Sequence, residues 1–238
     1  MSELIISLIP LALGVIMSPL AIMALVAVLV SRRARVNGVA FLIGWVIAVL
    51  IVSFVSLAFL QFLGENDDAD SPLWLAIVRL LLGLLLVLIA VRVYRRGTAR
   101  VKQMAAATSP ADIVSAAPQL PGWLKAVDTF KPARSASLGL GIFLLNPVDV
   151  SCVVLAMVDI GQADVSEVAR VVVIIVFVAI SVSPIAIPVI LTLVKGAKAD
   201  PVLERVRSWI ASHTSALNAG LLLLIGAMQI QKALGELF

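Results

Sequence analysis

Asp149 stands three residues after Asn146 and two after Pro147, inside a run of otherwise apolar residues. Proline in a helix removes one backbone hydrogen bond and crowds the preceding turn. The string therefore brings freed carbonyls, an amide and a carboxylate within one helical turn, a set able to hold a proton, a cation or an amine. Arg79 is the second ionisable residue deep in an apolar run. At a rise of about 1.5 Å per residue it lies about 10 Å from the nearer end of its run, and Asp149 about 15 Å from the corresponding end of its own. A charge at such depth costs several kcal/mol unless paired or hydrated. The depths predict that Arg79 and Asp149 pair or share a water-filled cavity, as a coupling site or as a structural salt bridge. Arg79 has two other readings: reaching outward to the interface, or receiving an anionic head group.

Two more proline strings carry polar neighbours. Ser18-Pro19 interrupts the first apolar run, and Ser181-Val182-Ser183-Pro184 the fifth. Serines there can hydrogen-bond to the freed backbone groups, which predicts a hinge, a cavity wall or a softened packing kink. Catalysis has little to draw on. Asp149 has no second deep carboxylate close in sequence, and nucleophile-elbow, phosphate-loop and dinucleotide motifs are absent. His213 is the only histidine and Cys152 the only cysteine, so no multi-cysteine metal site or intrachain disulfide can form. The sequence predicts no enzyme, no cofactor and no metal.

The elements that must position these residues are membrane helices. Of 238 residues, 62% are hydrophobic and 13% charged, against about a quarter charged in a soluble domain. Six apolar runs are long enough to cross a hydrocarbon core of about 30 Å: roughly 4–30, 39–63, 73–94, 138–158, 168–194 and 217–234. Glu3 in place of a basic start, with apolar character continuing to Val30, predicts a retained first span and not a cleaved leader. Asn37 and Gln61, near run ends, are expected at the interface.

Charge alternates between the runs. Arg32, Arg33 and Arg35 follow the first, GENDDADS the second, and Arg92, Arg95, Arg96, Arg100 and Lys102 the third. Asp159, Asp164 and Glu167 follow the fourth, and Lys195, Lys198, Arg205 and Arg207 the fifth. Lys and Arg collect on the cytoplasmic side, which puts both termini outside. Basic residues gather at run ends with no aromatic-interleaved stripe, so nucleic acid is not an expected partner. Residues 95–137 read as a basic cytoplasmic linker with a short helix near Trp123 to Phe130. Lys125, Lys131 and Arg134 are solvated there or lie against anionic lipid. Residues 201–213 carry Val202, Val206, Trp209 and Ile210 on one helical face, which predicts an interfacial helix.

Three spans on each side of the linker give halves 1–94 and 138–238 of opposite orientation. Met17-Ser18-Pro19-Leu20 aligns with Leu145-Asn146-Pro147-Val148, each string preceded by a glycine (Gly14, Gly141). The expected fold is an all-α integral membrane protein of six transmembrane helices in two inverted three-helix repeats, with both termini outside. Breaks at matching positions of inverted halves are the sequence pointer to a transporter's central site. Two ordinary proline kinks are the plainer alternative.

With SPLAIMALVAVLVSRRARVNGVAFLIGW near the start and LLNPVDV opening the second half, the chain resembles the lysine-exporter (LysE) superfamily. Within that superfamily it is similar to the actinobacterial GAP and Sap proteins, the glycolipid- and sulfolipid-addressing group. The resemblance implies a bacterial plasma-membrane exporter that moves envelope glycolipids outward, with Ser18, Pro19, Asn146, Pro147 and Asp149 at the motif positions. Ser18 stands where other branches tend to have Asn, which counts against amino-acid substrates. The expected partners are a membrane lipid or lipid-like substrate, with protons as a coupling ion. Gly38 and Gly44 permit close packing within or between subunits, so a homo-oligomer or an envelope-lipid export assembly is compatible. Proton-coupled export of amino acids or cations, and a non-transporting scaffold, are the competing functions.

Overall fold

In hydrocarbon every backbone N–H and C=O must find its partner within the protein, so apolar segments of this length fold as helices. The computed structural model describes residues 2–31, 33–64, 73–105, 130–196 and 200–237, and among them there are helices and no strands. The helices are α1 (Ser2–Ile16), α2 (Pro19–Val30), α3 (Ala34–Gly64), α4 (Leu73–Ala105), α5 (Pro132–Leu144), α6 (Pro147–Gln162), α7 (Glu167–Lys195) and α8 (Asp200–Leu237). Four stretches are long and apolar enough to cross a membrane unaided: Ala34–Phe62, Leu73–Arg96, Glu167–Lys195 and Asn218–Leu237. The pairs α1–α2 and α5–α6, bent by 46° and 68° at their breaks, raise the number to as many as six. The chain is a multi-pass membrane protein.

Contacts fix how the bent pairs run. Phe130, just before α5, accepts a hydrogen bond from Asn37 at the start of α3, while Gly161 at the end of α6 faces Leu57 and Leu60 near the end of α3. Glu3 of α1 lines a cavity with Asp159, Lys232 and Glu236, and Leu29 of α2 packs on Gly38 at the start of α3. Each bent pair thus touches opposite ends of the bundle with its two extremities. The breaks fall between.

Several expectations about the elements need correction. The third apolar run matches the candidate span Leu73–Arg96, but its helix, α4, continues past it to Ala105. The segment 201–213 is not a separate helix, since α8 runs unbroken from Asp200 to Leu237. At about 1.5 Å per residue its 38 residues reach well beyond a hydrocarbon core of about 30 Å. The expected helix near Trp123 to Phe130 and most of the linker lie outside the described residues.

The fifth run is not interrupted either. Helix α7 passes through Pro184 and Pro188. Pro184 has no N–H for the carbonyl of Ile180, and the Ser183 hydroxyl donates to that oxygen at 2.6 Å. Asn37 is fully buried, and its amide ties the start of α3 to the backbone at Phe130. Gln61 is exposed.

Aromatic and glycine contacts weld α3 to α5. Trp45 meets Phe143 edge to face at 5.0 Å. A Cβ at Gly44 would overlap the carbonyl of Ala136, and one at Gly139 the carbonyl of Phe41, so the two backbones lie in direct contact. Small residues allow this where lipid supplies no hydrophobic drive for helices to associate.

Candidate functional site

The two breaks share one local structure. Asn146 follows Ser18 by 128 residues, and the same shift carries Pro19 to Pro147. At the first break Met17 N donates to Leu13 O, Ser18 N to Val15 O and Ile22 N to Ser18 O. At the second, Leu145 N donates to Gly141 O, Asn146 N to Phe143 O and Val150 N to Asn146 O. The pattern is identical under the shift. Ser18 (φ −65°, ψ 100°) and Asn146 (φ −90°, ψ 104°) are extended, and each precedes a proline at the first helical position. Proline there gives up an N–H that the helix start leaves unbonded in any case.

The breaks also touch. Ser18 Oγ donates to Asp149 Oδ2 at 2.9 Å. Asn146 Nδ2 donates to the same Oδ2 at 2.7 Å and reaches Ser18 Oγ at 3.1 Å. Asn146 Oδ1 accepts from Val148 N at 3.1 Å, so one amide caps α6 and contacts the carboxylate at once. Ser18 makes no side-chain cap on α2; its hydroxyl is spent on Asp149. Asn218 of α8 donates to Met17 O at 3.3 Å, satisfying a carbonyl at the first break.

Asp149 is fully buried. Both donors fall on Oδ2, and Oδ1 is buried without a hydrogen-bond partner among the described residues. No salt bridge to Asp149 is formed by the described residues. Asp149 lies in the first turn of α6 and takes a hydrogen bond from Ser18 at the start of α2, so it sits beside two helix N-termini, whose dipoles favour negative charge. No cluster of three or more potential metal ligands occurs among the described residues.

Arg79 does not join this site, and the expected pairing with Asp149 is wrong. Arg79 Nη1 meets Asp159 Oδ1 at 2.5 Å, Nε lies 3.0 Å from Glu236 Oε1, and Nη2 donates to Gln162. Gln229 accepts from Nη1 at 3.1 Å, and Lys232 Nζ meets Asp159 Oδ2 at 2.7 Å. Apolar-run counting put Asp159 in a loop. It is instead buried in α6, ten residues and about 15 Å along the helix from Asp149. The error has a physical origin: depth was measured from run ends, and α6 carries its helix past the last apolar residue to Gln162.

The structure therefore brings Ser18, Pro19, Asn146, Pro147 and Asp149 together and places Arg79 in a separate ionic cluster. Ser181 is buried on α7 with its hydroxyl unpaired among the described residues. Ser183 and Pro184 keep to their own helix. Sequence reasoning missed Asn218, Gln229, Lys232 and Glu236. The last three were readable as positions i, i+3 and i+7, one face of the last helix.

No curated protein and no solved structure matches the chain. The profile of the family described as Sap, sulfolipid-1-addressing protein, matches residues 8–235, nearly the whole sequence, and the chain belongs to that family.

Proposed function

We propose that this protein is a non-enzymatic exporter of an envelope lipid in the bacterial plasma membrane, built as six spans in two inverted halves with both termini outside. The observation that carries the reading is the meeting of two identically bonded helix breaks at Asp149. Interrupted helices at corresponding positions of opposed repeats, meeting far from either end, are the usual setting of a transport site. A role in lipid addressing or export follows the description of the family. The alternating basic and acidic connections support the orientation.

Within this reading, motion at the Ser18 and Asn146 breaks opens the path alternately to each side. Asp149 Oδ1 is where a coupling proton or cation is taken up. A buried carboxylate with one oxygen unpartnered cannot stay both charged and unaccompanied without a large desolvation cost. That same atom also favours the second reading, proton-coupled export of a small solute. Both need Asp149, and they differ in cargo.

The deciding experiment is reconstitution into liposomes, with lipid movement between leaflets and amino-acid or cation flux measured in parallel. The expected result is lipid movement by the wild type and at least a tenfold loss in Asp149→Asn, with the variant's melting temperature in detergent unchanged. Solute flux alone would establish the second reading. Absence of every flux would leave a scaffold for export machinery and end the exporter reading.

A further inference from the structure

A polar cavity and an apolar groove lie side by side along α1. The cavity, about 460 Å³, is lined by Glu3, Leu4 and Ser7 of α1, by Arg79, Asp159, Gln162, Lys232 and Glu236, and by the turn Ala163–Val165. The groove, about 500 Å³, runs between α1 and α7 past Leu8, Ile9, Ala12, Val173, Val176 and Ile180, and its walls are almost wholly apolar. Leu4 borders one and Leu8 the other, one turn apart on the same helix. Val165 and Ala169 repeat that adjacency on the other wall. Each volume lies within the range of small-ligand sites, about 300–1,000 Å³.

The charge of the cavity selects among head groups. Four carboxylates (Glu3, Asp159, Asp164 and Glu236) face two cations, Arg79 and Lys232. Both cations are already held by Asp159, and Arg79 also lies against Glu236. Glu3 and Asp164 are exposed at the rim. Glu236 Oε2 is buried and accepts no hydrogen bond among the described residues. A sulfate or phosphate monoester arriving here meets excess negative charge and no unengaged cation in the lining. A group that donates hydrogen bonds meets acceptors.

We propose that this cleft seats one amphiphile, its acyl chain in the α1–α7 groove and its head group, bearing hydroxyl or ammonium donors and no net negative charge, in the Glu3–Asp164–Glu236 cavity. The inference rests on the lipid-handling reading above and adds the place and the head-group class. It separates this seat, at the end of the bundle that the reading above puts outside, from the Asp149 break, which lies further along α1 and α6.

The test is equilibrium binding to the full chain in detergent micelles, read by anisotropy of acyl-labelled lipids. Phosphatidylethanolamine supplies ammonium donors, glucosyl diacylglycerol hydroxyl donors, and phosphatidylglycerol a net negative head. The expected result is at least fivefold tighter binding of one or both of the first two than of phosphatidylglycerol, the tighter of them naming the donor. In the double variant Glu3→Lys/Asp164→Lys the preference falls to parity or inverts. Ile9→Trp and Val176→Trp, at half-exposed groove positions on different helices, each weaken all labelled lipids at least fivefold with the melting temperature retained. Equal or tighter binding of phosphatidylglycerol by the wild type overturns the proposal, as does wild-type binding by both tryptophan variants. A chain that moves lipid without this selectivity fails here alone, and one that binds selectively without moving lipid fails only as an exporter.

Discussion

Ser18 and Asp149 are 131 residues apart in sequence, and the hydroxyl of the first lies 2.9 Å from a carboxylate oxygen of the second. Ser18 ends one helix break and Asp149 opens the helix after the other. Their hydrogen bond is thus a direct link between the two halves, made where the backbone of each half is interrupted.

That link predicts non-additive substitutions. Ser18→Ala and Asn146→Ala each remove one donor from Asp149 Oδ2, and a hydrogen bond to a charged group contributes about 1.5–3 kcal/mol. The first loss leaves the second donor in place, whereas the double variant leaves a buried carboxyl with no donor. A double-mutant cycle on thermal unfolding in detergent should give a coupling of about 1 kcal/mol or more, in the range for residues sharing one network. Additivity within a few tenths of a kcal/mol would mean that the three side chains do not act as a unit.

The ionic cluster predicts that Arg79 is not replaceable by lysine. Its Nη1 donates to Asp159 and Gln229 and its Nη2 to Gln162, while Nε lies against Glu236 as an ion pair without a hydrogen bond, a spread of contacts that an ammonium cannot reproduce. Arg79→Gln leaves Glu236 without its cation and should destabilise by about 3–5 kcal/mol, the usual cost of breaking a buried pair from one side. Arg79→Lys should recover less than half of that loss. Melting temperatures of the two variants, with Glu236→Gln added to Arg79→Gln as a partial rescue, check the assignment.

How much of this was legible beforehand depended on whether the signal was local. Pro19 and Pro147 mark their breaks in the sequence because proline acts on its own helix, and the shared shift between Ser18 and Asn146 was visible as aligned strings. The partners of Arg79 were not legible, because Asp159, Lys232 and Glu236 come from helices whose rotation about their axes is set by packing. Ser183-Pro184 left a hinge, a cavity wall and a kink softened by serines open, and the structure bears out the last. Pro19 stands at a break, whereas Pro184 is absorbed in α7 by the Ser183 hydroxyl bonded to the freed carbonyl of Ile180, a bond the sequence offered without deciding where the hydroxyl turned.

Three glycines separate close packing from mere composition. Gly44 and Gly139 sit against backbone carbonyls of Ala136 and Phe41, while a Cβ at Gly141 meets nothing within 4 Å. Alanine at Gly44 or Gly139 must push α3 from α5, since backbone cannot yield as a side-chain tip can, and overpacking of this kind costs about 1–3 kcal/mol. Alanine at Gly141 should be neutral or slightly stabilising, glycine being the poorer helix former by about 1 kcal/mol. Thermal unfolding of the three single variants under one condition decides it, and a Gly141→Ala loss as large as the others would contradict the packing account.

The absorbed proline in α7 gives a paired test. Ser183→Ala removes the donor that satisfies Ile180 O and should cost about 1–3 kcal/mol, because the bond-free carbonyl then lies in a helix with no N–H to replace the hydroxyl. Pro184→Ala restores that N–H. In the Pro184→Ala background, therefore, Ser183→Ala should cost a few tenths of a kcal/mol at most. The sign of the coupling is what matters: equal costs in both backgrounds would show that the Ser183 hydroxyl serves a purpose other than repairing the break, and α7 would then return as a candidate hinge.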